Sequence, residues 1–282
     1  MPKKTIVIIG LGLMGGSLGL ALKKKLNSVR IFGISRSSKK IKQALRKGVI
    51  DAGSTRLKDI PPGTELVIIA TPVPQIVPIA LEIDRVIKVP LVVTDVGSTK
   101  KWILKELGKS RLKNVKFIGS HPMAGDHETG LEFARDNLYE NALVFIIRDH
   151  TSPGNLKKIE SFWRSVGANR LITLSAEDHD RIVSDISHLP HLVASLLTLC
   201  VSSEKMVLSG PGFKDATRIA QGDPELWTGI ISTNPSIISS LQQFEKQIKK
   251  LRLLIQKKDW KALHRLLKTA SRRRRAFNSN LK

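Results

Sequence analysis

The stretch TIVIIGLGLMG, residues 5–15, sets the fold of the first half of the chain. Thr5 and four apolar residues are followed at once by three glycines in the spacing GxGxxG. Between a strand and a helix, this spacing permits a tight turn, lets the backbone approach a pyrophosphate, and allows the helix to pack closely on the strand. The sequence therefore predicts a dinucleotide site at the N-terminus of the first helix. The residues expected there are Gly10, Gly12, Leu13, Met14 and Gly15.

Apolar runs recur along the first half at the spacing of a repeated strand–helix unit. Several are nearly continuous hydrophobic stretches, which is typical of strands covered on both faces. Helical patterns at residues 15–25 and 38–47 connect the first of them. The strand candidates are residues 5–9, 30–34, 66–70, 91–95, 115–118 and 142–147. This alternation predicts an α/β fold of Rossmann type, with a doubly wound, mostly parallel sheet.

The pattern becomes predominantly helical in the second half. A helix at 155–166 precedes residues 168–174, which are compatible with one more strand, and apolar residues then recur at helical spacing. The long helix candidates are residues 176–202, 235–257 and 260–276. We expect a dinucleotide-binding domain at 1–150 followed by an all-helical substrate and dimerisation domain at 151–282. Helices this apolar in a short chain often complete their burial against a second subunit, so a homodimer is expected.

The composition is that of a soluble globular protein. With 282 residues, 41% of them hydrophobic and 25% charged, the chain can bury two cores without disulfides. Its single cysteine, Cys200, lies in an apolar run, which indicates a core residue and a reducing compartment. No apolar run reaches the ~20 residues needed to cross a bilayer, and the first residues lack a signal-peptide pattern. We expect a cytoplasmic protein without a membrane segment.

The net charge of +23, from 47 basic and 24 acidic residues, is unusually high. Such a field attracts anions, including phosphorylated cofactors, carboxylated substrates and nucleic acid. The basic residues are spread along the chain, apart from one cluster at Arg272–Arg275, and aromatic residues make up only 5%. Platforms for base stacking are therefore few. The expected partner is a small anionic substrate rather than nucleic acid.

The end of the second strand indicates which nicotinamide cofactor is bound. NAD sites usually place an acidic residue there, on the ribose 2′-hydroxyl. This chain has Ser35, Arg36 and Ser37 instead. An arginine with flanking hydroxyls can bind a 2′-phosphate, which a carboxylate would repel. NADP is therefore predicted over NAD, and Thr71 and Pro72, which follow a later buried strand, are expected to line the same crevice.

Two further loops follow strands at the edge where such sheets bind ligands. Ser98 lies in DVGSTK, after the strand at 91–95, and His121 lies in GSHPMAG, after the strand at 115–118. A histidine and a serine beside a nicotinamide are plausible as a general base and its hydrogen-bonding partner. On spacing alone, a structural or solvated histidine is the alternative.

Six motifs, in this order, resemble those of the prephenate/arogenate dehydrogenase family of tyrosine biosynthesis. They are GLGLMGGSL (10–18), ATPV (70–73), DVGSTK (95–100), GSHPMAG (119–125), SHLPH (187–191) and GFKDATRIA (212–220). The combination is specific and spans most of the chain, whereas GLGLMG alone also occurs in β-hydroxyacid dehydrogenases. The resemblance implies oxidation of a cyclohexadienol that bears a ring carboxylate. Hydride passes to the nicotinamide, carbon dioxide leaves, and the ring becomes aromatic.

The resemblance also implies roles for individual residues. His121 matches the catalytic base, Ser98 the hydroxyl that orients base and substrate, and Arg218 the residue that binds a substrate carboxylate. His188 and His191 are one helical turn apart, but the sequence specifies no further metal ligands and the family uses no metal, so none is predicted. We interpret His191 as a substrate-site residue and His188 as a packing or hydrogen-bonding residue.

One departure from the family pattern concerns the substrate. After Gly125 the family often has Thr or Ser followed by an acidic residue, whereas this chain continues Asp126-His127-Glu128-Thr129. Asp126 is a candidate for binding the ammonium group of arogenate, and an exposed loop position is equally compatible with the sequence. The choice between prephenate and arogenate stays open.

Two other functions are compatible with parts of the sequence. A dehydrogenase of the β-hydroxyacid type would need a catalytic lysine on a helix of the second half rather than GSHPMAG in the first. A nucleic-acid-binding protein built on a dinucleotide fold would show tight, salt-sensitive binding and no turnover.

Overall fold

A computed structural model of the chain describes residues 4–26, 28–125 and 128–279. The first six strands are β1 (Lys4–Ile9), β2 (Val29–Ile34), β3 (Ala52–Ser54), β4 (Thr64–Ile69), β5 (Leu91–Asp95) and β6 (Val115–Ile118). They form one parallel sheet in the order β3-β2-β1-β4-β5-β6. The order reverses between β1 and β4, so the carboxyl ends of these strands flank the crevice where such sheets bind ligands. The predicted Rossmann-type fold is confirmed.

Helices cover both faces of this sheet. They are α1 (Leu13–Lys25), α2 (Ser38–Arg46), α3 (Val73–Val86) and α4 (Lys101–Gly108), with a 3₁₀ turn at Leu57–Asp59. Successive residues of a strand point to opposite faces. In β1, Ile6 and Ile8 therefore pack in one buried cluster, and Val7 and Ile9 in another. This burial on both faces explains the nearly continuous hydrophobic runs of the sequence.

A second sheet of three strands follows the first. Its strands are β7 (Ser120–Pro122), β8 (Leu143–Ile147) and β9 (Arg170–Leu174), and α5 (Pro153–Ser165) connects the last two. The central strand, β8, is antiparallel to β7 and parallel to β9. The strand predicted at 142–147 therefore belongs to this second sheet rather than to the main one. The strand β9 lies where the sequence is compatible with one more strand, and the described elements after it are helical, as predicted.

The rest of the described chain is helical. Its elements are α6 (Ala176–Val183), a π-helix (Ser184–His188), α7 (Leu189–Leu199), α8 (Ser203–Met206), α9 (Pro211–Thr217), a 3₁₀ turn (Arg218–Gln221), α10 (Pro224–Thr233), α11 (Ile237–Gln256) and α12 (Trp260–Ser279). The chain forms two compact units, Met1–Pro235 and Ser236–Lys282. This division does not coincide with the boundary predicted near residue 150, because Phe162 and Trp163 of α5 share a buried cluster with Leu18 of α1.

The continuous helical stretch Ala176–Leu199 is, by length and composition alone, long and apolar enough to cross a membrane. It also carries buried polar side chains, among them His179 and Asp180, that are hydrogen-bonded within the same unit. Beyond its end Cys200 is exposed, as is Leu199. The prediction that Cys200 is a core residue is therefore wrong, because this apolar run ends on the outer face of α7.

Candidate active site

The turn after β1 is shaped by three glycines, each for a different reason. Gly10 has a φ of 96°, and a Cβ there would lie 2.4 Å from the backbone oxygen of Ala70. A Cβ on Gly15 would lie 1.9 Å from the backbone oxygen of Gly10, so α1 can approach β1 only where there is no side chain. A Cβ on Gly12 would have no neighbour within 4 Å. Gly12 therefore faces open space at the N-terminus of α1, where unpaired N–H groups attract phosphate.

Two cavities meet where the strand order reverses. The first, of about 970 Å³, extends from the glycine turn to the end of β2, and the second, of about 390 Å³, extends to β7. Both are lined by Gly12, Ala70, Thr71 and Pro72. The Thr71 Oγ1 atom is buried there and has no hydrogen-bond partner among the described residues. A dinucleotide above the N-terminus of α1 would extend into both cavities and satisfy this hydroxyl, so the residues fit such a cofactor.

All but one of the residues predicted to bind the cofactor line these cavities. Those lining a cavity are Gly10, Gly12, Leu13, Met14, Ser35, Arg36, Ser37, Thr71 and Pro72. Gly15 is the exception, since its role is to pack α1 on β1. The connection after β4 is short, because α3 begins at Val73. Pro72 is the N-cap residue of α3 and Pro74 lies in its first turn, where no backbone N–H is needed.

The first cavity is basic near the end of β2. Its basic residues are Arg36, Lys40, Arg56 and Lys58. Ser37 caps α2, where its Oγ accepts the backbone N–H of Lys40 at 3.3 Å. Arg56 is paired with Asp59, with 3.0 Å between Nε and Oδ2. Arg36 is exposed at the point where an NAD site would carry a carboxylate.

His121 lies on β7 in the wall of the second cavity, together with Ser98 of the loop after β5. Only 7% of His121 is exposed. Burial, followed by the nearby His179 and Lys100, lowers the pKa of His121 well below its usual 6.5. The imidazole is therefore neutral near pH 7, which is the form that can accept a proton.

A buried ion pair lies beneath this wall. Lys100 Nζ donates to the carboxylate of Asp95, which also accepts the backbone N–H of Gly97 at 2.9 Å and of Ser120 at 3.0 Å. Burial raises the pKa of Asp95 and lowers the pKa of Lys100, while their mutual attraction opposes both shifts. These hydrogen bonds hold together the loop that carries Ser98 and the strand that carries His121.

A chain of hydrogen bonds runs from His121 to α6. His121 Nδ1 is 2.9 Å from His179 Nε2, and His179 Nδ1 is 2.7 Å from Asp180 Oδ1. Asp180 also accepts the backbone N–H of Lys100 at 2.8 Å and of Lys101 at 3.0 Å, where α4 begins. Burial lowers the pKa of His179 to about 2 and raises the pKa of Asp180 to about 6.

His188 and Trp227 also line the second cavity. The amide nitrogen of Asn234 donates to the backbone oxygen of Asp180 at 2.8 Å and lies 3.2 Å from His188 Nδ1. His188 Nδ1 must therefore accept, so the proton of this neutral ring is on Nε2. Burial lowers the pKa of His188 to about 4. His188 Nε2 is buried without a partner in the described part of the chain, so it is a free donor in the cavity wall.

Comparison with known proteins decides the family. Residues 18–172 match the family model described as the nucleotide-binding domain of prephenate dehydrogenase, and residues 175–269 match the model of its dimerization domain. The chain belongs to the prephenate dehydrogenase family. The family assignment supports a dehydrogenase of the prephenate/arogenate type over the two alternatives, a β-hydroxyacid dehydrogenase and a nucleic-acid-binding protein.

Relatives in the prephenate dehydrogenase family match over nearly the whole chain. The prephenate dehydrogenase of Bacillus subtilis is 35% identical over 277 residues, which cover 95% of this chain and 74% of the relative. The cyclohexadienyl dehydrogenase of Zymomonas mobilis is 31% identical over 286 residues, which cover 98% of this chain and 97% of the relative. The resemblance drawn from six motifs is therefore confirmed.

Solved structures of prephenate dehydrogenases share the fold. The enzyme from Aquifex aeolicus, in complex with hydroxyphenyl propionate and NAD+, is 30% identical with a TM-score of 0.87 and covers 97% of this chain and 98% of its own. Synechocystis arogenate dehydrogenase is 28% identical with a TM-score of 0.82 and covers 97% and 99%. A 3-hydroxyisobutyrate dehydrogenase from Mycobacterium tuberculosis, 15% identical with a TM-score of 0.52, shares the fold alone.

The residues predicted to bind the substrate differ in where the structure places them. Ser98 lines the cavity, although His121 Nδ1 is hydrogen-bonded to His179 and not to Ser98. His191 stacks on Trp227, with 3.5 Å between ring centroids, and does not itself line the cavity. Arg218 is exposed in a 3₁₀ turn outside the cavity lining. Asp126 lies outside the described residues. These four assignments stay predictions.

Several residues of the site were not predicted from the sequence. They are His179, Asp180, Trp227 and Asn234. His179 and Asp180 occur in the run Asp178–Asp180, whose visible property is the polarity of a surface helix. A pairing between residues 58 positions apart, such as that of His121 with His179, leaves no trace in a single sequence. Among the described residues, no group of three or more side chains could hold a metal ion.

Proposed function

We propose that this chain is a nicotinamide-dependent dehydrogenase that oxidises the ring hydroxyl of prephenate or arogenate, with loss of the ring carboxylate as carbon dioxide. The observation that supports it most is the neutral, buried His121 in a cavity that continues into the glycine turn. A proton acceptor beside a nicotinamide is what oxidation of a hydroxyl requires. The bound nicotinamide supplies the hydride acceptor.

In this proposal Nε2 of His121 accepts the proton of the substrate's ring hydroxyl. Ser98 hydrogen-bonds to the oxygen of that hydroxyl and orients it. The electrons of the broken bond to the carboxylate enter the ring, which becomes aromatic. His188 Nε2–H donates to an acceptor on the substrate. Arg218 binds a substrate carboxylate, His191 supports the substrate site through Trp227, and Asp126 is a candidate for the ammonium group of arogenate.

The first test is the absorbance of reduced cofactor with purified protein in four mixtures, prephenate or arogenate with NAD or NADP. We expect turnover in at least one mixture and a loss of roughly 100-fold or more in His121→Ala, because a positioned base contributes that much. Cofactor binding by His121→Ala, followed by fluorescence, should be unchanged. No turnover in any mixture by protein that binds cofactor would contradict the proposal.

We propose NADP as the preferred cofactor. Support comes from Ser35, Arg36 and Ser37 at the end of β2 and from the basic residues that line the same cavity. Arg36→Ala is expected to raise KM for NADP about 10-fold and to leave KM for NAD nearly unchanged. Lys39→Ala, an exposed neighbour on α2 that does not line the cavity, is the matched control. A variant that loses NAD and NADP equally would refute the role of Arg36.

The roles of His188 and Arg218 are tested by KM. His188→Leu removes one donor to a bound acceptor, for which we expect KM for the substrate to rise about 10-fold. Arg218→Ala should raise KM further if the guanidinium contacts a carboxylate, since such hydrogen bonds are stronger. Lys214→Ala, another exposed cation of the same region, is the control for general loss of positive charge. Unchanged KM in Arg218→Ala would remove this residue from the site.

We propose that the chain forms a homodimer. Large apolar side chains are exposed along and beyond α7, with Leu199 82% and Leu208 84% exposed in the single chain. Patches of this kind mark protein contacts. Leu199→Glu should shift the mass measured by light scattering from dimer to monomer, whereas Val89→Glu, at an apolar residue 62% exposed between α3 and β5, should not. A wild-type monomer at micromolar concentration would contradict the dimer.

We propose that the protein is cytoplasmic. The support is that Ala176–Leu199, although long and apolar, carries buried polar groups that are hydrogen-bonded within its unit, which would be costly in a bilayer. Cell fractionation should recover the protein with soluble enzymes, and recovery with washed membranes would contradict the proposal.

A further inference from the structure

We propose that His179 and Asp180 are positioning residues for His121. Asp180 accepts the Nδ1–H of His179, and His179 Nε2 accepts the Nδ1–H of His121, which leaves His121 Nε2 without a proton at the cavity. The three residues are called the Asp180–His179–His121 relay below. The inference deepens the proposed function and rests on it.

The direction of each hydrogen bond follows from the Asp180 end of the relay. Asp180 accepts two backbone N–H groups from the start of α4, which its ionised carboxylate suits. A carboxylate can only accept, so the proton between it and His179 is on His179 Nδ1. A neutral imidazole carries one proton, so His179 Nε2 is an acceptor, and the donor 2.9 Å away must be His121 Nδ1–H.

The relay is shielded from solvent, so its protons do not exchange directly with water. His179 and Asp180 are fully buried, and the ring of Phe145 lies edge-on to His179 with 5.4 Å between centroids. The titratable groups that face the relay are Asp95 and Lys100 below it and His188 on the adjoining π-helix. Lys100 and His188 both oppose a positive charge on His179, which keeps that ring neutral and accepting.

The relay also stabilises His121 at the moment it takes a proton. Burial, followed by positive charge on His179 and by Lys100, disfavours the imidazolium, which alone would make His121 a weak base. Because the pKa of His179 is lowered to about 2, its ring is neutral in the relay and its Nε2 can accept. When His121 becomes charged, its Nδ1–H bond to His179 becomes a charge-assisted one, and Asp180 holds His179 in the accepting orientation. The relay therefore supplies both the tautomer and part of the stabilisation of the protonated base.

The tautomer is measured directly by long-range proton–nitrogen NMR of the full chain labelled with ¹⁵N-histidine. The chain has seven histidines, and His121→Asn assigns the resonance of interest. Wild-type protein at pH 7 should show His121 protonated on Nδ1. His179→Leu, which removes the acceptor, should shift His121 toward the Nε2–H form, and His179→Gln, which can still accept at that position, should keep Nδ1–H. His150→Asn, in an exposed turn with a φ of 57°, is the control.

Turnover is measured on the same variants. His179→Leu should lower kcat about 10- to 100-fold with KM within about 2-fold, because the base is misaligned while substrate contacts remain. His179→Gln should recover a large part of that loss, and cofactor binding and thermal melting should stay near wild type in His179→Gln. A purely structural role would lower stability in both variants without the tautomer change and without a selective loss of kcat.

The outcomes separate the two proposals. A wild-type His121 protonated on Nε2 overturns the relay even if no His179 variant folds, since that result needs only the wild-type spectrum and its assignment with His121→Asn. A folded His179→Leu with wild-type kcat overturns it as well. Absence of turnover by wild-type protein in all four substrate and cofactor mixtures overturns the proposed function instead, and leaves the measured tautomer as it is.

Discussion

Substitutions at two glycines of the turn after β1 should affect cofactor binding and folding stability separately. A methyl group on Gly12 meets no protein atom, and the φ of −96° at this residue suits an alanine. Gly12→Ala should therefore fold with near wild-type stability but raise the Kd for the cofactor about 10-fold or more, because the methyl group occupies the approach to the pyrophosphate. Cofactor fluorescence and thermal melting measure the two effects independently.

The contrasting variant is Gly15→Ala. Its Cβ would lie 1.9 Å from the backbone oxygen of Gly10 and 3.0 Å from a methyl of Ile8, so α1 must move away from β1. We expect a loss of about 2–4 kcal/mol in the free energy of unfolding, measured in urea. An unchanged Kd for the cofactor in Gly12→Ala would mean that the open space at Gly12 does not serve the cofactor, and a loss of stability as large as that of Gly15→Ala would contradict the open space itself.

The sequence predicted residues whose role depends on local context and missed those whose role depends on distant partners. Gly10, Gly12 and His121 were found because the turn and the motif around each are contiguous in the chain. Asn234 could not be found in this way. Its role is to fix the proton of His188, 46 positions earlier, through a single hydrogen bond.

Among the secondary-structure elements, the π-helix Ser184–His188 sets the direction in which His188, at its end, and His191, in α7, point. A π-helix carries one residue more per turn than the α-helical pattern, and each residue rotates a helix by about 100°. Deletion of Ile186, which is 56% exposed, should restore α-helical bonding and rotate His188 and His191 away from their present partners. We expect turnover to fall roughly 100-fold or more.

Circular dichroism should show unchanged helix content in the Ile186 deletion, and cofactor binding should persist because the first sheet is untouched. Ile186→Ala is the matched control, since it removes the side chain and keeps the register. A deletion variant with wild-type kcat would show that this register is irrelevant to the site.

Another element is anchored by one carboxylate. Asp84, near the end of α3, accepts the backbone N–H of Lys113, Asn114 and Val115 at 2.8–3.1 Å, where β6 begins. Burial opposes ionisation of Asp84, but the three N–H groups outweigh it and hold the pKa of the carboxyl below its usual value. Asp84→Ala should lower the free energy of unfolding by about 1–3 kcal/mol, measured in urea.

The control for Asp84 is Glu106→Ala, which breaks the exposed ion pair with Lys109. Such a pair contributes about 0–1 kcal/mol, so the change should be small. Equal losses in the two variants would mean that the three N–H groups of the β6 start find other acceptors.

Elements with strong periodicity were predicted well. β5 and β6 have the predicted bounds, since each is a short, mainly apolar run flanked by residues typical of turns, such as Pro90, Gly97, Asn114 and Gly119. The three-residue strands β3 and β7 were missed because a strand that short has no period to detect. The π-helix was missed because one extra residue in a helical turn does not visibly change the helical pattern of the sequence.

For the whole molecule, the buried histidines predict loss of stability in acid. The pKa values of His121, His179, His188 and His191 are all lowered, with burial the largest cause, so as pH falls below 6.5 the unfolded chain protonates these four rings before the folded chain does. The pKa of Asp180 is raised to about 6, so the folded chain binds one proton that the unfolded chain lacks between about pH 6 and 4. The unfolded chain binds more protons in sum, and stability therefore falls as pH falls.

Each net proton changes the free energy of unfolding by about 1.4 kcal/mol per pH unit. Urea unfolding at pH 7 and pH 5 should show a clear loss at the lower pH, and His188→Leu should show a smaller one because one titrating ring is gone. Equal stability at the two pH values in the wild type would contradict the burial of these rings as neutral groups.

The predicted division of the whole chain at residue 150 followed the change from strands to helices. The compact units divide instead at Pro235, because Tyr139 and Trp163 pack against each other with 5.6 Å between ring centroids and join α5 to the first sheet. A change from strands to helices along the sequence does not by itself mark a domain boundary. Tertiary packing decides whether the two regions form one compact unit or two.

Asp180 belongs to α6, yet its carboxylate closes the first turn of α4 and, through His179, governs a proton on His121. The packing of α6 against α4 and the proton position on His121 are therefore coupled through Asp180. Separation of α6 from α4 would break the hydrogen bonds by which Asp180 joins the first turn of α4 to His179. Substitutions that change the stability of this helix contact would therefore also change the turnover rate.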